Sequence, residues 1–272
     1  MKIIVAVSGG VDSVVLLDML VRSQDHQLIV AHFDHGIRDD SADDARFVAG
    51  LAEQYGLPYE AEREELGSQA SEELARSRRY RFLQRVAGDH GAVIATAHHH
   101  DDVLGSIAIN ISRGTGWRGL AVLDRSDVVR PLLPWSKARV YRYALEHRLE
   151  WVEDSTNQSR TYLRNRLRAG LLALDSKDQQ RLVDLRLNQI QLKRDIDRQS
   201  ARLAEIFGSS RHPYTMIAPL VAVEILRRQW QMTRPAAERL LLGIKTARTN
   251  TRQDIGGGLT ARYGQKSFEL SR

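Results

Sequence analysis

Ile3-Ile4-Val5-Ala6-Val7-Ser8-Gly9-Gly10-Val11-Asp12-Ser13 runs from β-prone apolar residues into Ser-Gly-Gly-x-Asp-Ser. Val14, Val15, Leu16, Leu17, Met19 and Leu20 follow at helical spacing. The stretch predicts a strand that ends in two glycines and opens a helix. Such a turn makes a concave set of backbone N–H groups. The helix dipole and the Ser8 and Ser13 hydroxyls favour a di- or triphosphate there. Gly9 and Gly10 tolerate positive φ and leave no Cβ between backbone and phosphate. A Walker loop would need Gly-x-x-x-x-Gly-Lys-Ser/Thr, and no lysine follows here. A plain capped turn is the alternative, but six adjacent positions fit in the right context, so the loop reads as an ATP site.

Beyond the loop, strand and helix patterns alternate through the first 150 residues. Strands are expected at Ile3–Val7, Leu28–His32, Tyr59–Glu62, Val93–Ala97 and Val128–Arg130, and helices at Val14–Arg22, Ala42–Tyr55, Ser71–Ala87 and Val103–Ile111. Repeated βα units argue for an α/β fold, a doubly wound parallel sheet with ligands at the carboxyl ends of its strands. Apolar residues at helical spacing across 176–207 predict a long helical connection, broken by Gly208-Ser209-Ser210. A small α+β domain is expected after it: helices at Ala218–Trp230 and Pro235–Lys245, then Gly256-Gly257-Gly258 within a hairpin running to Leu270. The expected division is a catalytic domain over 1–175, a helical linker over 176–207 and a C-terminal domain over 208–272.

Composition narrows the function. The chain has 272 residues, 42% of them hydrophobic, a mean hydropathy of −0.38 and no apolar run long enough for a membrane span. Met1 leads directly into a strand with no cleavable signal pattern, so a cytoplasmic location is expected. None of the residues is cysteine, which excludes disulfides, thiolate metal sites and a persulfide carrier within this chain. Charge is lopsided. Residues 1–159 carry 18 basic and 24 acidic side chains, a net of −6, while residues 160–272 carry 22 and 10, a net of +12. The basic C-terminal part is suited to a polyanion, and beside an ATP site a nucleic acid fits better than a membrane.

A second cluster, Thr96-Ala97-His98-His99-His100-Asp101-Asp102, lies where a strand gives way to a helix. Two adjacent carboxylates beside a triphosphate suit a hard cation such as Mg2+, so Asp12, Asp101 and Asp102 are the candidate metal ligands. Consecutive histidines point in different directions and lack zinc spacing. His98 is expected near developing phosphate charge or in a structural role.

These segments and several later ones resemble the bacterial tRNA(Ile)-lysidine synthases, a branch of the PP-loop ATP pyrophosphatases. The resemblance runs through His32-Phe33-Asp34-His35-Gly36-Ile37-Arg38, Glu72-Glu73-Leu74-Ala75-Arg76 and Arg79-Tyr80. It continues through Arg113-Gly114-Thr115-Gly116-Trp117-Arg118-Gly119-Leu120, Arg130-Pro131-Leu132-Leu133, Asp154-Ser155-Thr156-Asn157 and Arg164-Asn165-Arg166-Leu167-Arg168. The first loop is common to all ATP pyrophosphatases, whereas the Arg-Gly-Thr-Gly segment and the last two are far more specific. The tail, with Ala261-Arg262-Tyr263-Gly264, is similar to that family's small C-terminal domain and would make this a short form with no further domain.

The resemblance implies an adenine nucleotide alpha hydrolase-like fold and a carbon–nitrogen ligase. Its partners would be ATP, Mg2+, free lysine and an isoleucine tRNA with a cytidine-containing anticodon, with a homodimer left open. Ser8, Gly9, Gly10, Val11, Asp12 and Ser13 would hold the pyrophosphate, and His32 and Asp34 would lie near adenosine. Arg76 would lie at the ATP phosphates or the tRNA, and His98 at the nucleotide. Asp102, Arg113, Asn157 and Arg168 would carry catalysis around the metal, the lysine and the target base, and Trp117 would either stack on a base or pack in a core. One departure stands out. The family usually places an acid three residues after its paired aspartates and a hydroxyl next to it, where this chain has Gly105 and Ser106. A tRNA thiolase would share the first loop but works through cysteine thiolates. Ammonia-using NAD or GMP synthetases lack such a basic C-terminal half. A non-catalytic ATP- or RNA-binding module would not need the paired aspartates and the arginine-rich segments together.

Overall fold

The computed structural model describes residues 1–37, 41–67, 70–153, 170 and 173–271. Strands β1 (Lys2–Ala6), β2 (Gln27–Asp34), β3 (Tyr59–Arg63), β4 (Val93–Ala95) and β5 (Val128–Val129) form one parallel sheet of order β3-β2-β1-β4-β5. The run Ile3-Ile4-Val5 is apolar without alternation because β1 is covered on both faces. Ile3, Val5 and Val7 face Leu16 and Leu17 of α1 (Val11–Ser23), Val48 of α2 (Ser41–Gln54) and Val140 of α5 (Lys137–Glu146). Ile4 faces the other way, with Ile29 and Ile94, onto Phe82, Leu83 and Val86 of α3 (Glu72–His90). The remaining helix of this part, α4 (His100–Ser112), buries Val103 and Ile107 against Val122 and Leu182.

Two boundaries moved in ways that matter. Strand β4 stops at Ala95, two residues short of expectation, which leaves Thr96 to His99 as loop, and α1 starts at Val11, directly on the glycines. Helix α5 was not anticipated. Its buried residues are only Val140 and Ala144, set among arginines and tyrosines, so its apolar stripe is too thin to register as a period. The start signal is there in Ser136, whose hydroxyl accepts the Arg139 N–H at 3.3 Å.

Two compact units, 1–186 and 187–272, meet within α6 (Ser176–Phe207), a single 32-residue helix. The second unit continues with α7 (Arg211–Met216), α8 (Pro219–Trp230), α9 (Arg234–Thr246) and the antiparallel strands β6 (Thr251–Gly256), β7 (Leu259–Tyr263) and β8 (Phe268–Ser271). The expected hairpin is thus a three-stranded sheet, and Tyr214, Leu226, Leu240, Tyr263 and Phe268 are fully buried together in its core. No described helix is long and apolar enough to cross a membrane.

A buried carboxylate ties three helices together under the sheet. Asp18 of α1, 1% exposed, accepts Arg22 Nε at 2.7 Å, Tyr55 Oη at 2.9 Å and Tyr143 Oη of α5 at 2.8 Å. Burial alone would raise its pKa, but the Arg22, Tyr143 and Tyr55 hydrogen bonds outweigh it and hold the carboxyl below its usual range. Burial, then the Asp18 charge, pushes the Tyr55 phenol up to about 12. Asp18→Ala will strand two tyrosine hydroxyls and lower unfolding free energy by about 2–4 kcal/mol. The check is the urea midpoint at unchanged m-value; a midpoint equal to the parent's would contradict it.

Candidate nucleotide site

The β1–α1 turn is closed by its own hydroxyls. Past the end of β1, Val7 N–H still donates to Ala31 O at 2.9 Å, and then the chain leaves the sheet. Ser13 Oγ accepts the Ser8 N–H at 3.1 Å, donates to Gly10 O at 2.8 Å and lies 3.3 Å from Ser8 Oγ. Gly9 has φ +91°, which glycine adopts without strain, and its carbonyl accepts the Val152 N–H at 3.0 Å. Gly10 corrects the reading from sequence. Its φ is −71°, so any residue could take that backbone, and its value lies in the missing side chain. A Cβ there would meet only Ser8 Oγ, at 3.7 Å, and would project into the open space ahead of the helix. No side chain caps α1, so its first N–H groups stay available to an anion. Val11, buried, can offer only its N–H.

The loop after β4 faces this turn. His99, 2% exposed, sits at the N-cap of α4 with Nε2 3.4 Å from Asp102 Oδ2 and 3.9 Å from Asp12 Oδ1. Asp102 also accepts the His99 N–H at 3.0 Å, which fixes its orientation. Asp12 and Asp102 therefore converge on one imidazole edge, both partly open to solvent. Asp101 departs from the expected metal role. It is 6% exposed and its Oδ1 accepts the backbone N–H of Lys137 at 3.3 Å, so it anchors the start of α5. Consecutive helical residues point about 100° apart, so Asp101 meets the Nδ1 edge of His99, at 4.0 Å, while Asp102 meets the Nε2 edge that Asp12 also faces.

Lys137 is the residue that the sequence reading missed. Its Nζ lies 2.6 Å from Asp12 Oδ1 and 4.8 Å from the centre of the Tyr141 ring. A signal existed, for a lysine in the first turn of a helix opposes the helix dipole and needs a separate reason to be there.

Other expected residues are spread around this centre. His32, at the end of β2, is 4% exposed; its Nδ1 donates to Val7 O at 2.9 Å, which leaves Nε2 a buried acceptor with no partner. Asp34 accepts the Gly36 N–H at 2.9 Å and Arg63 Nη1 at 3.0 Å, so its oxygens hold the loop beyond β2. Burial works to raise its pKa, but the Gly36 N–H, the Ser41 hydroxyl and Arg63 prevail and lower it. Arg76 lies exposed on α3, with its guanidinium carbon 5.5 Å from the Tyr80 ring centre. Arg113 forms the exposed C-cap of α4, and Arg118 covers the Trp117 ring at 4.7 Å. Asp154, Asn157, Arg164 and Arg168 lie outside the described residues.

Among the described residues, no group of three or more His, Asp or Glu side chains could hold a metal ion alone. His98, His99 and His100 turn to Thr96, Asp102 and Asp101 respectively, which is no zinc arrangement. Asp12 and Asp102 do fit the habit of Mg2+, which takes one or two carboxylates and fills its remaining positions with water and substrate phosphates.

The family profile of the PP-loop domain matches residues 1–174. A tRNA(Ile)-lysidine synthase of Enterococcus faecalis is 37% identical over 194 residues, covering 67% of this chain and 42% of that protein. One of Exiguobacterium sibiricum is 38% identical over 178 residues (63% and 43%), and one of Thermus thermophilus 41% over 174 (61% and 34%). The chain thus spans less than half the length of these relatives. Among solved structures, a U34-tRNA thiolase of Methanococcus maripaludis shares the fold, with TM-score 0.60 and 19% identity over 71% of this chain and 72% of that one.

The charge state of His98 gives a direct test. Burial, then Arg130, Arg76, Arg79 and His99, hold its pKa at about 3. The folded protein thus binds this proton less readily than the unfolded chain, whose histidine titrates near 6.5. Stability from this group is whole above about 6.5 and is lost as pH falls toward about 3. The His98 Cε1 proton resonance should stay flat from about pH 8 to pH 5. His98→Gln should make the acid limb of the stability curve shallower. A midpoint near 6.5 would refute the assignment.

Proposed function

The chain belongs to the PP-loop domain family, and on that premise we propose that it is a tRNA(Ile)-lysidine synthase. The observation that carries the reading is the meeting of two loops. Asp12 of the phosphate-binding turn and Asp102 of the loop after β4 face the same buried His99. Relatives of this name at 36–41% identity supply the substrate. In the first step the C2 carbonyl oxygen of the wobble cytidine attacks the α-phosphorus of ATP. The Pα–O bond to the β-phosphate breaks and pyrophosphate leaves. In the second, the neutral amine of free lysine attacks C2, the C2–O bond breaks, AMP departs and the amine gives up a proton. A carbonyl oxygen leaves poorly until it is adenylated, hence the split of ATP at that position.

Each described residue has a task in this scheme. The N–H groups of Gly9, Gly10, Val11 and Asp12 and the Ser8 and Ser13 hydroxyls hold the departing pyrophosphate. Asp12 and Asp102 would hold Mg2+, which when bound neutralises charge on the phosphates. Lys137 supplies a fixed ammonium beside Asp12 for a phosphate oxygen. His32 offers Nε2 to an adenosine donor. The amine requires positioning more than a strong base. Asn157, Arg168 and Arg113 are assigned to the lysine and the target base by position in their motifs. The basic residues of 208–272 are assigned to the tRNA.

Two experiments test this. Pyrophosphate release should require ATP, Mg2+ and an RNA carrying the cytidine-containing anticodon loop. Asp102→Ala and Lys137→Met should each reduce it by about 10²–10³-fold with the melting temperature nearly unchanged. Full activity in either variant would remove that residue from the site.

A second reading, a related ligase with another amine, follows from Gly105. It lies buried on α4 one turn beyond Asp102, and a Cβ built there meets nothing within 4 Å. A carboxylate there would give an ammonium a charge-assisted partner, typically worth roughly ten- to a hundredfold in affinity. Gly105→Glu should therefore lower half-saturation for lysine without altering ATP use. Lysine as sole substrate, with unchanged half-saturation in the variant, would dismiss the second reading.

A further inference from the structure

A cavity on α3, lined by Arg76, Tyr80, Arg81 and Arg125 among others, gathers three guanidiniums against one carboxylate, Glu73. Arg76, Arg79 and Arg125 place their guanidinium carbons 5.5, 5.8 and 4.6 Å from the centre of one ring, that of Tyr80. Arg130, just past β5 and outside the cavity lining, adjoins the Tyr80 phenol; its Nη1 donates to Val128 O at 3.1 Å, while its buried Nε and Nη2 make no well-formed hydrogen bond. Tyr80 is itself 5% exposed, and its hydroxyl lies beside Arg130 without a well-formed hydrogen bond. Of the arginines here only Arg125 has a strong acid, Asp127, at 2.8 Å, whereas Arg78 and Arg85 on the same helix pair with Glu64 and Glu62. Arg76, Arg79, Arg81 and Arg130 form no ion pair among the described residues. Glu73, exposed at the rim, is the acid nearest the opening.

Buried guanidinium and phenol donors without acceptors are costly, and like charges gathered around them add to the cost. Burial, only partly offset by the Tyr80 phenol, together with repulsion from Arg76 and Arg125, holds Arg130 below its usual pKa. An anion bound in the cavity would give the Tyr80 hydroxyl an acceptor and offset the gathered positive charge. Guanidiniums offer paired N–H groups matched to phosphate oxygens, and the Tyr80 hydroxyl adds a further donor.

We propose that this cavity takes a backbone phosphate of the RNA substrate, as an anion subsite separate from the loop that holds the nucleotide's pyrophosphate. The proposal rests on the RNA reading above. Its place in the fold supports it. Arg76, which lines the cavity, acts with Arg79 and Arg130 on His98, and His98 adjoins His99, so the charge of the cluster reaches the edge of the reaction centre. Yet α3 packs on the face of the sheet opposite α1, away from the helix that the pyrophosphate loop opens. A mononucleotide held on that loop has its phosphates accounted for, whereas a polynucleotide brings further phosphates to the rim. Residues 1–159 are acidic overall, net −6, so these arginines stand out against their surroundings.

The test uses the full chain and an isoleucine tRNA transcript, with binding measured over a salt series and ATP half-saturation followed by pyrophosphate release. Arg81→Ala, at an exposed position, and Arg130→Gln should each weaken tRNA binding about tenfold and reduce the salt slope by about 1, with ATP half-saturation unchanged. Arg130→Lys should recover part of the affinity. Should Arg130→Gln fail to fold, Arg81→Ala decides. Wild-type affinity and slope in Arg81→Ala would overturn the subsite while leaving the RNA reading intact. A raised ATP half-saturation with unchanged tRNA slope would also overturn it, and would place a nucleotide phosphate in the cavity, as would competition by inorganic pyrophosphate against ATP that the variants abolish. Absence of tRNA binding by the wild-type chain would sink the RNA reading itself, and the subsite with it.

Discussion

Strand β1 is hydrogen-bonded in parallel on both edges, with Ile4 opposite Ile29 of β2 on one side and Ile94 of β4 on the other. With neighbours on both sides, its carboxyl end is the point where the chain order of the sheet reverses, and loops on either flank must diverge there. Everything chemical in the first unit follows from that reversal. The turn of Ser8 to Ser13 leaves from β1, His32 ends β2, His98 to Asp102 leave from β4, and Arg130 and Lys137 follow β5. Loops distant in sequence arrive at one crevice because parallel pairing puts all carboxyl ends at one edge. Removing the burial of Ile4 and Val5 would therefore cost the site its geometry before it cost any functional group.

Within the crevice, orientation is fixed by backbone partners. Asp102 is held by the His99 N–H and Asp101 by the Lys137 N–H, so one adjacent pair of acids closes its own helix and pins the next. This second contact brings the Lys137 ammonium to Asp12 across 125 residues of sequence. The charge at the mouth of the turn is thus set by the packing of α5 on α1, which Asp18 secures from beneath through Tyr143. Stability and chemistry share these contacts.

The phosphate-binding turn, the parallel sheet and the loop of Asp102 were legible in sequence because each rests on local signals: a continuous apolar run, two glycines, and acids at a strand end. Gly10 misled because composition reports that a Cβ is absent, without reporting which of φ or free space requires its absence. Asp101 misled because facing directions within a helix depend on the helix's start, and β4 ended earlier than its apolar residues suggest. Lys137 was missed for a different reason. Its helix has a weak period and its partner, Asp12, lies in another loop, so only tertiary structure joins them. The arginine cavity was likewise hidden, since Arg76 and Arg79 were read singly and the unpaired state of Arg130 is a property of packing.

The charge pattern raises a physical question of its own. For the proposed RNA substrate, residues 1–159, with a net charge of −6, would be repulsive on the whole, and a triphosphate in the crevice would add to that repulsion. Attraction has to be local. On the proposed reading the Tyr80 cluster would supply it within residues 1–159, and the net +12 of residues 160–272 would supply it in the rest of the chain. An acidic surround with concentrated basic points penalises wrong orientations while leaving correct ones favourable, so the same repulsion that slows encounter also sharpens selection. An even spread of arginines over the first unit would bind RNA more readily and position it less well. For the proposed reaction, which would bring one carbonyl oxygen to one phosphorus atom, positioning is the quantity that matters.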